Sequence, residues 1–314
     1  MSKSLDRLSL LQTFVRIADT GSISAAAREM GLSQPSASRQ LAELESRFNA
    51  QLMRRTTHDL SLTAAGAELL ADARRLLEEW EALEEKHLEV EGELSGKLKV
   101  VAPVALGQLY LLDMVIQFQR QHPKIDFSWQ LEDKDIRFAE VGCDCWIKIG
   151  SPPDSSLTVE PLCEVERLVV AAPQLIEQYG PLKRPADLKK LPFLALEPFE
   201  GRRIPLTNKS ADIKKRTVVV STSAKMITNN IFAIREATLA GLGCAVMPRW
   251  FIEEALSQHR LIDVLPNWRA PKLAIQVALL PSRRRARRLQ CFLDELKNTV
   301  PNIPGVEPIV ESTA

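Results

Sequence analysis

The feature that most constrains this chain is a long acidic segment without proline between two regions of ordinary composition. No proline occurs from residue 36 to residue 102, and residues 64–93 hold ten Asp or Glu against three Lys or Arg. A length of 314 residues suits about two domains. We therefore expect residues 64–93 to form a long linker helix that joins an N-terminal domain, residues 5–63, to a larger domain, residues 95–299.

The composition argues against secreted and membrane-spanning proteins. Five cysteines, an odd and small number, do not fit a disulfide-stapled secreted scaffold and favour a reducing compartment. No apolar stretch is long enough for a transmembrane helix, and the N-terminus lacks the pattern of a signal peptide. We expect a cytoplasmic protein without a membrane partner. The 41 Lys and Arg balance 40 Asp and Glu, so the net charge indicates no partner.

The N-terminal domain has the pattern of three short helices. Apolar residues at helical spacing predict a helix over residues 5–19. Ser22 is a suitable N-cap for a second helix, residues 23–30, and Gly31 a suitable turn residue after it. Ser33 then caps a third helix that carries Pro35 in its first turn, where a missing N–H costs nothing.

The third helix has one apolar face and one small, polar face. Ala37, Leu41, Leu44 and Phe48 lie on one side at 100° per residue, and we expect them to be buried. The opposite side carries Arg39 among small and hydroxylated residues. Such a surface can enter a major groove about 12 Å wide and contact base edges. The segment therefore predicts a helix-turn-helix that binds DNA.

A short hairpin is predicted after the third helix. Leu60 and Leu62 alternate with a polar residue, as in a strand, and Arg54 and Arg55 lie at the base of the hairpin. Two cations beside a DNA-binding helix suit contact with phosphates. We interpret the hairpin as the wing of a winged helix-turn-helix.

Three motifs in these residues resemble the DNA-binding module of LysR-type transcriptional regulators. They are the pair Ala26–Ala27, the segment SQPSASRQL that begins at Ser33, and LTAAG, which ends at Gly66. We expect a homodimer or homotetramer on double-stranded DNA, with an inverted-repeat operator because paired helix-turn-helix modules contact two half-sites, and a contact with RNA polymerase if the protein is an activator. The resemblance implies DNA contacts by Ser33, Gln34, Pro35, Ser36, Ser38, Arg39, Arg54 and Arg55.

The linker segment has an apolar seam. Its apolar residues recur at intervals of four and three over about three heptads, which is typical of a helix that pairs with another chain. The alternative is a lone amphipathic helix packed on its own domain. The seam residues that we expect in a dimer are Leu69, Leu76, Trp80 and Leu83.

The C-terminal region alternates strands and helices, which predicts an α/β fold with largely parallel sheets. We expect a helix over residues 225–240 and a final helix over residues 283–299. The family resemblance implies two lobes like those of periplasmic solute-binding proteins, with a small-molecule effector between them. Lobe I would comprise residues 95–168 and 268–299, lobe II residues 169–267, and residues 300–314 would be a tail.

An effector cleft is expected where strands end and helices begin, because free N–H groups there favour an anion. LysR-type regulators often carry a Ser or Thr near the position of Ala105, so this chain offers no side-chain hydroxyl for a carboxylate there. Ser221 to Ser223 are expected before the long helix of lobe II. The full set of expected effector contacts is Pro103, Val104, Ala105, Ile149, Gly150, Leu196, Glu197, Ser221, Thr222 and Ser223.

Two further motifs allow more than one interpretation. Cys143 and Cys145 would point to the same face of a strand, either as core residues or as a redox or metal sensor. The basic run over residues 283–288 fits the exposed start of the last helix, or a contact in a tetramer or with DNA. We expect no metal site and no cofactor.

The sequence favours a ligand-responsive DNA-binding transcription regulator. A second hypothesis is a solute-binding receptor whose N-terminal module does not act on DNA. A third is an enzyme on an α/β scaffold, but the four histidines are scattered and no catalytic motif is present. We therefore expect no enzymatic activity.

Overall fold

The computed structural model describes residues 6–55, 60–87, 93–152, 154–197, 203–209, 217–281 and 285–309. An N-terminal helical module is connected by one long helix to a larger domain built on a mixed β-sheet. Both predicted folds, the winged helix-turn-helix and the α/β domain, are confirmed.

The N-terminal module packs three helices around an apolar core. Asp6 caps the first helix, Ser22 the second and Ser33 the third, each by accepting a hydrogen bond from a backbone N–H in the first turn. The core joins Phe14 and Ile17 of the first helix to Ala26 of the second and Leu41 of the third, all nearly inaccessible. The helices are α1 (Arg7–Thr20), α2 (Ile23–Glu29) and α3 (Gln34–Phe48).

A two-stranded hairpin and the long helix follow α3. Strands β1 (Met53–Arg55) and β2 (Leu60–Leu62) pair antiparallel, with Arg54 opposite Ser61. The linker helix is α4 (Ala64–His87), and its first half packs into the core of the N-terminal module through Leu70 and Ala73. The predicted end of the linker at residues 88–92 lies outside the described residues.

The larger domain contains a mixed sheet whose strand order is β10-β7-β11-β6-β13-β5-β3-β4. The strands on this path are β3 (Gly96–Ala102), β4 (Ile125–Leu131), β5 (Cys145–Ile149), β6 (Thr158–Ala171), β7 (Phe193–Leu196), β10 (Ala224–Thr228), β11 (Cys244–Pro248) and β13 (Trp268–Leu279). The strands off this path are β8 (Arg203–Asn208), β9 (Thr217–Ser221), β12 (Ile262–Asp263) and β14 (Val306–Pro308).

Helices cover both halves of this sheet. Val104 begins a continuous helical segment that runs to Gln121 and contains one π turn, Gly107–Leu111. The α-helices are α5 (Val104–Leu106), α6 (Leu112–Gln121), α7 (Phe138–Val141), α8 (Pro173–Tyr179), α9 (Ile231–Leu239), α10 (Arg249–Ser257) and α11 (Arg287–Thr299), and Pro185–Lys190 and Val300–Asn302 are 3₁₀-helical.

Two long strands connect the halves of the domain. β6 and β13 run antiparallel to each other, and β13 also pairs antiparallel with β5 in lobe I while β6 pairs antiparallel with β11 in lobe II. The expectation of largely parallel sheets is therefore only partly right. Parallel pairs occur within each lobe, β3 with β4 and β7 with β10, but the connecting strands must reverse direction.

Three segment predictions in this domain were wrong. Residues 224–228 form β10 rather than the start of a helix, because they pair with β7, and α9 begins only at Ile231 behind its cap Asn230. The last helix begins at Arg287, and Ala286 is its N-cap. Residues 306–308 are not a free tail, because β14 pairs with β6.

Candidate DNA-binding surface and effector cleft

The start of α3 is fixed by a serine cap. The Ser33 hydroxyl accepts a hydrogen bond from the Ser36 backbone N–H at 3.3 Å and lies 2.8 Å from the Ser36 hydroxyl. Pro35 occupies the first turn, where its missing N–H leaves no intrahelical bond unmade. These contacts set the direction in which the first turn of α3 leaves the module.

The inner face of α3 holds one polar residue that sequence reasoning missed. Ala37, Leu41 and Leu44 are buried as expected, but so is Gln40, whose amide oxygen accepts a hydrogen bond from the hydroxyl of Thr13 on α1. A buried amide without this partner would be costly. Phe48, which was expected in the core, is 54% exposed because it is the last residue of the helix.

The outer face of α3 is open to solvent. Gln34, Pro35 and Arg39 are exposed, as is Ser33, whereas Ser36 and Ser38 are half-buried. All of the residues predicted to contact DNA on this helix therefore lie on its first two turns, away from the inner face. The surface carries one long cationic side chain, that of Arg39, among small residues.

The hairpin is attached to α3 through a carboxylate. Oε1 of Glu45 accepts hydrogen bonds from the backbone N–H groups of Leu52 at 2.8 Å and Met53 at 3.2 Å, just before and within β1. Arg54 is exposed at the base of the hairpin. The side chain of Arg55 and the hairpin tip at residues 56–59 lie outside the described part of the chain.

Gly66 allows the linker helix to begin close to the hairpin. A Cβ at this position would collide with the backbone carbonyl of Leu52. The Thr63 hydroxyl donates to the Gln51 carbonyl at 2.6 Å and accepts from the Gly66 N–H at 2.9 Å, so it closes the first turn of α4. This geometry gives a physical reason for threonine and glycine in the LTAAG motif.

The predicted dimerisation seam divides into two parts. Leu69 packs against the core of its own N-terminal module, beside the buried Ala73. Leu76 and Trp80 are 49% and 42% exposed, and Leu83 is half-buried. Only the second half of the predicted seam is therefore available to a partner helix.

The linker helix also contacts lobe I of its own chain, at what we call the Arg74 joint: Arg74, Asp19 and Gly142. Arg74 pairs with Asp19 of α1, and its guanidinium lies where a Cβ of Gly142 would be. Gly142 has a φ of 63°, which favours glycine. Burial lowers the pKa of Arg74, although Asp19 opposes that shift. The joint connects the DNA-binding module to the turn before β5.

Further ion pairs surround this joint. Arg288 of α11 pairs with Glu81 of α4 at 2.6 Å, and Lys97 of β3 lies 3.6 Å from Glu29 of α2. Burial and then repulsion by Asp144 raise the pKa of Glu78 to about 7. The contact between the module and lobe I is therefore held by charges and contains a carboxyl group that titrates near neutrality.

A second site lies between the two lobes. Residues of both lobes enclose a cavity of about 70 Å³. Of the expected effector contacts, five line it: Pro103, Ala105, Ile149, Leu196 and Glu197. The residues that were not anticipated are Leu106, Glu132, Asp133, Lys134, Trp146, Ile147, Lys148, Asn229, Ile231 and Trp250.

The other expected effector contacts lie outside the cavity lining. The Val104 N–H donates to Oδ1 of Asp133 at 2.9 Å, so it is already occupied. The carbonyl of Gly150 accepts from the Gln276 side chain at 2.6 Å. Ser221 ends β9, and Thr222 and Ser223 connect it to β10, so the expectation that these residues precede a helix is wrong. The start of helix α9 in lobe II reaches the cavity instead, through Asn229 and Ile231. The sequence pattern predicts that this helix begins about six residues earlier, so neither residue was expected at the cavity.

One contact connects the lobes beside the cavity. The Tyr110 hydroxyl, in the π turn of lobe I, donates to the backbone carbonyl of Trp250 in α10 of lobe II at 2.7 Å. Their rings meet edge to face with centroids 5.7 Å apart. Because Trp250 also lines the cavity, a change in the cavity can alter the contact between the lobes.

The cysteine motif has the properties of core residues. Cys145 is fully buried and Cys143 is 4% exposed. Burial raises the pKa of both thiols, that of Cys143 to about 12, so neither favours the reactive thiolate. In the described part of the chain, no three His, Cys, Asp or Glu lie together in a way that could hold a metal ion.

The basic run before the last helix is largely engaged in ion pairs. Arg285 pairs with Glu160, and Arg288 donates to the Lys97 carbonyl at 2.7 Å in addition to Glu81. Arg283 and Arg284 lie outside the described residues. Of the described residues of this run, Arg288 connects lobe I to the linker helix and Arg285 pairs within lobe I, so the run is not simply a solvated face.

Comparison with known proteins identifies the family. Residues 8–67 match the model of the bacterial regulatory helix-turn-helix protein of the lysR family, and residues 91–301 match the LysR substrate binding domain. The chain belongs to the LysR family. It is a DNA-binding transcription regulator with an effector-binding domain, and nothing in the comparisons supports a receptor that does not act on DNA.

Individual relatives agree with this assignment over nearly the whole chain. The HTH-type transcriptional regulator PtxR of Pseudomonas aeruginosa is 30% identical over 303 residues, 95% of this chain and 96% of the relative. ArgP from Mycobacterium tuberculosis has a TM-score of 0.69 at 18% identity and covers 94% of this chain and 97% of its own. LysG from Corynebacterium glutamicum, solved with bound effector Arg, has a TM-score of 0.63 at 17% identity, with coverage of 94% and 98%. At these identities the two structures support the fold alone.

No helix among the described residues combines the length and apolar character that crossing a membrane requires.

Proposed function

We propose that this LysR-family regulator binds an inverted-repeat operator as a homodimer or homotetramer, with the outer face of α3 in the major groove. The exposed, capped first turns of α3, which carry Arg39, are the observation that supports this most directly. The contacts on α3 are Ser33, Gln34, Pro35, Ser36, Ser38 and Arg39. Arg54 and Arg55 contact phosphates beside the groove.

Pairing of two chains uses the free half of the linker seam. Leu76 and Trp80 expose large apolar surface at a spacing of four residues, and Leu83 continues it at a spacing of three. Leu69 contributes to the core of its own module instead. Two modules held by paired linker helices contact half-sites separated by about one turn of DNA or a multiple of it.

The effector binds in the cavity between the lobes. Residues from lobe I, such as Trp146 and Ile149, and from lobe II, such as Glu197 and Trp250, line the same cavity. A ligand that contacts both lobes stabilises one arrangement over another, and this difference in affinity is what makes binding regulatory.

The signal travels along β5. Four of its five residues, Trp146 to Ile149, line the cavity, and the turn before the strand holds Gly142 against Arg74. A strand of five residues spans about 15 Å. A shift of β5 on ligand binding therefore moves the Arg74 joint and, through Asp19, the helix α1 that supports α3.

The protein acts by binding rather than by turnover, and it acts in the cytoplasm, where its DNA is. Relatives over most of its length are named transcriptional regulators. If it activates transcription, RNA polymerase is a further partner.

Fluorescence anisotropy with the DNA upstream of its own gene tests this function. Full-length protein should bind that duplex at least about a hundredfold more tightly than a shuffled duplex, and the affinity should fall steeply with salt because counterions are released. Sedimentation of the complex should show two or four chains per duplex. Equal affinity for both duplexes, or one chain per duplex, would contradict the proposal.

A Gly142→Ala variant tests the route through β5. The added methyl group displaces the Arg74 guanidinium, so operator affinity should change by about threefold or more although the α3 surface is intact. Gly180→Ala, another glycine with positive φ but with nothing near its Cβ, is the matched control. Identical affinities of the two variants would contradict the route.

A further inference from the structure

The anion-binding position expected in the cleft is occupied by the protein itself. Oδ1 of Asp133 accepts the Val104 N–H at 2.9 Å, at the start of the helical segment that faces the cavity. The next residue is Ala105, which lines the cavity and has no hydroxyl. An effector carboxylate at this helix end would have to displace Asp133 and would gain no side-chain donor from Ala105.

The second helix that begins at the cavity also has its own cap. Oδ1 of Asn230 accepts the Ala233 N–H at 3.0 Å, in the first turn of α9. The neighbours Asn229 and Ile231 line the cavity. In each lobe, therefore, the protein's own side chain accepts a hydrogen bond from the first turn of the helix that begins at the cleft, and that N–H group is not free for a ligand.

The cavity lining carries one more negative than positive side chain. Glu132, Asp133 and Glu197 line it, against Lys134 and Lys148. Lys148 is already paired with Asp135, and its ammonium lies 5.0 Å from the centre of the Trp146 ring. Glu197 comes from lobe II and the other two carboxylates from lobe I, so closing the lobes brings like charges together. A positively charged ligand group between them would replace this repulsion by attraction.

A donor without an acceptor lies in the same wall. The side chain of Trp250 lines the cavity, is 3% exposed, and its Nε1–H has no hydrogen-bond acceptor among the described residues. A buried donor gains from an acceptor. A cation also binds favourably over an indole ring, and because Lys148 already lies over that of Trp146, the ring of Trp250 is the one we assign to the ligand.

We propose that the effector is a small organic cation, an amine or a guanidine with a neutral acceptor oxygen, and that a simple carboxylate is excluded. Glu197 and Glu132 bind the positive group from opposite lobes, and Asp133 keeps the Val104 N–H closed to anions. This inference rests on the proposed function of the cavity as the effector site. It goes beyond that function because it names the chemical class of the ligand.

Thermal unfolding of the full-length protein tests the charge of the ligand. The probes are ethanolamine, glycinamide and 4-guanidinobutanamide as chlorides, each a cation with a neutral oxygen, and acetate, succinate and benzoate as sodium salts, at equal ionic strength. At least one amine should raise the melting temperature, because a ligand that binds only the folded state stabilises it, and no carboxylate should. Stabilisation by a carboxylate, or by none of the amines, would overturn the proposal.

Two variants place the binding in the cavity. Glu197→Gln should weaken the apparent affinity for the stabilising amine about tenfold, whereas Glu236→Gln, which alters an exposed carboxylate of α9 outside the cavity lining, should leave it unchanged. Asp133→Ala should gain stabilisation by a carboxylate, because it opens the Val104 N–H. An amine response that Glu197→Gln leaves intact would overturn the assignment.

Operator affinity separates this inference from the function on which it rests. If an amine binds with the expected dependence on Glu197 but leaves operator affinity unchanged, the class of ligand stands and the regulatory role of the cavity fails. If a carboxylate binds and changes operator affinity, the regulatory role stands and the class of ligand is wrong.

Discussion

The DNA-binding surface and the effector cleft are built in opposite ways. The surface on α3 comes from six of the seven residues between Ser33 and Arg39, all except buried Ala37, and their positions follow from one cap and one helical period. The cleft is lined by residues from positions 103 to 250, brought together by several strands and helices. A continuous surface keeps its geometry when distant parts of the chain change, whereas an assembled cleft depends on every element that positions its walls.

The largest loss of stability is expected from a substitution at Glu166 on β6, which should affect the effector domain and not the DNA-binding surface. Burial opposes its ionisation, but hydrogen bonds from Lys209 at 2.6 Å and from Arg269 at 2.6 Å outweigh burial and lower its pKa to about 2. Glu166→Gln should destabilise the effector domain by about 3 kcal/mol, because it removes the anion that Lys209 and Arg269 share and leaves Asp263 as the carboxylate partner of Arg269. Calorimetry should show this loss of stability. The affinity for a non-specific DNA duplex, measured separately, should not change.

The contribution of Glu166 to the stability of the fold should decrease as the pH falls. A depressed carboxyl pKa gives stability that is present above the ordinary value of 4.5 and is lost as pH falls toward about 2. The difference in stability between wild type and Glu166→Gln should therefore narrow over that interval. A difference that stays constant down to pH 2 would contradict the role of the ionised form.

A smaller effect is expected from Thr13 in the DNA-binding module. Thr13→Val removes the hydroxyl that donates to buried Gln40 and should cost about 2 kcal/mol, since the amide oxygen is left without a partner. Thr20→Val is the comparison variant: the Thr20 hydroxyl, at the part-buried end of the same helix, donates to a backbone carbonyl, so its loss should cost less stability than that of Thr13. The loss should reduce the stability of the module and leave ligand-induced stabilisation of the effector domain unchanged.

The Arg74 joint connects the two regions, and Glu78 beside it predicts a pH effect. Because its pKa is raised to about 7 in the folded protein, the folded state loses stability as pH rises from about 4.5 through 7. Glu78→Gln should remove this loss, so the variant should melt higher than wild type at pH 8 and equally at pH 4.5. Glu68→Gln, an exposed carboxylate on the same helix, should follow wild type throughout.

The smallest expected change is in the contact between lobes. Tyr110→Phe keeps the ring against Trp250 but loses the hydroxyl that donates to its carbonyl, which should cost about 1 kcal/mol. If the contact couples the lobes, the variant should alter the affinity of the cavity for a stabilising ligand as well as the melting temperature. A change in melting temperature alone would show that the contact only supports the fold.

The sequence predicted the local structure well and the assembled structure less well. Ser22, Ser33 and Gly31 mark helix ends through interactions with their nearest neighbours, so the bounds of α2 and the start of α3 could be predicted. Residues 224–228 form a strand because of a partner some thirty residues earlier in the chain, at Phe193–Leu196, which local spacing does not indicate.

The same distinction explains which site residues were missed. Asp133, Trp146 and Trp250 reach the cavity through the packing of the two lobes, and no motif marks them. Gln40 carries a polar side chain on a face that helical spacing predicts to be inward, so its burial was detectable, but its partner Thr13 was not. Pro103, Ala105 and Ile149 were predicted because a cleft forms where strands end.

Two arginines of α3 allow a direct test of whether its outer face recognises DNA. Arg39 lies on the outer face of the first turns of α3, and Arg47 lies in its last turn, paired with Glu43 at 2.9 Å. Anisotropy titrations of Arg39→Ala and Arg47→Ala should be made with the protein's own upstream duplex and with a shuffled one. Arg39→Ala should lower the ratio of the two affinities about tenfold or more, as expected from loss of a base contact worth about 1–3 kcal/mol, and Arg47→Ala should not. Unchanged discrimination in Arg39→Ala would contradict the assignment of α3 as the helix that recognises DNA.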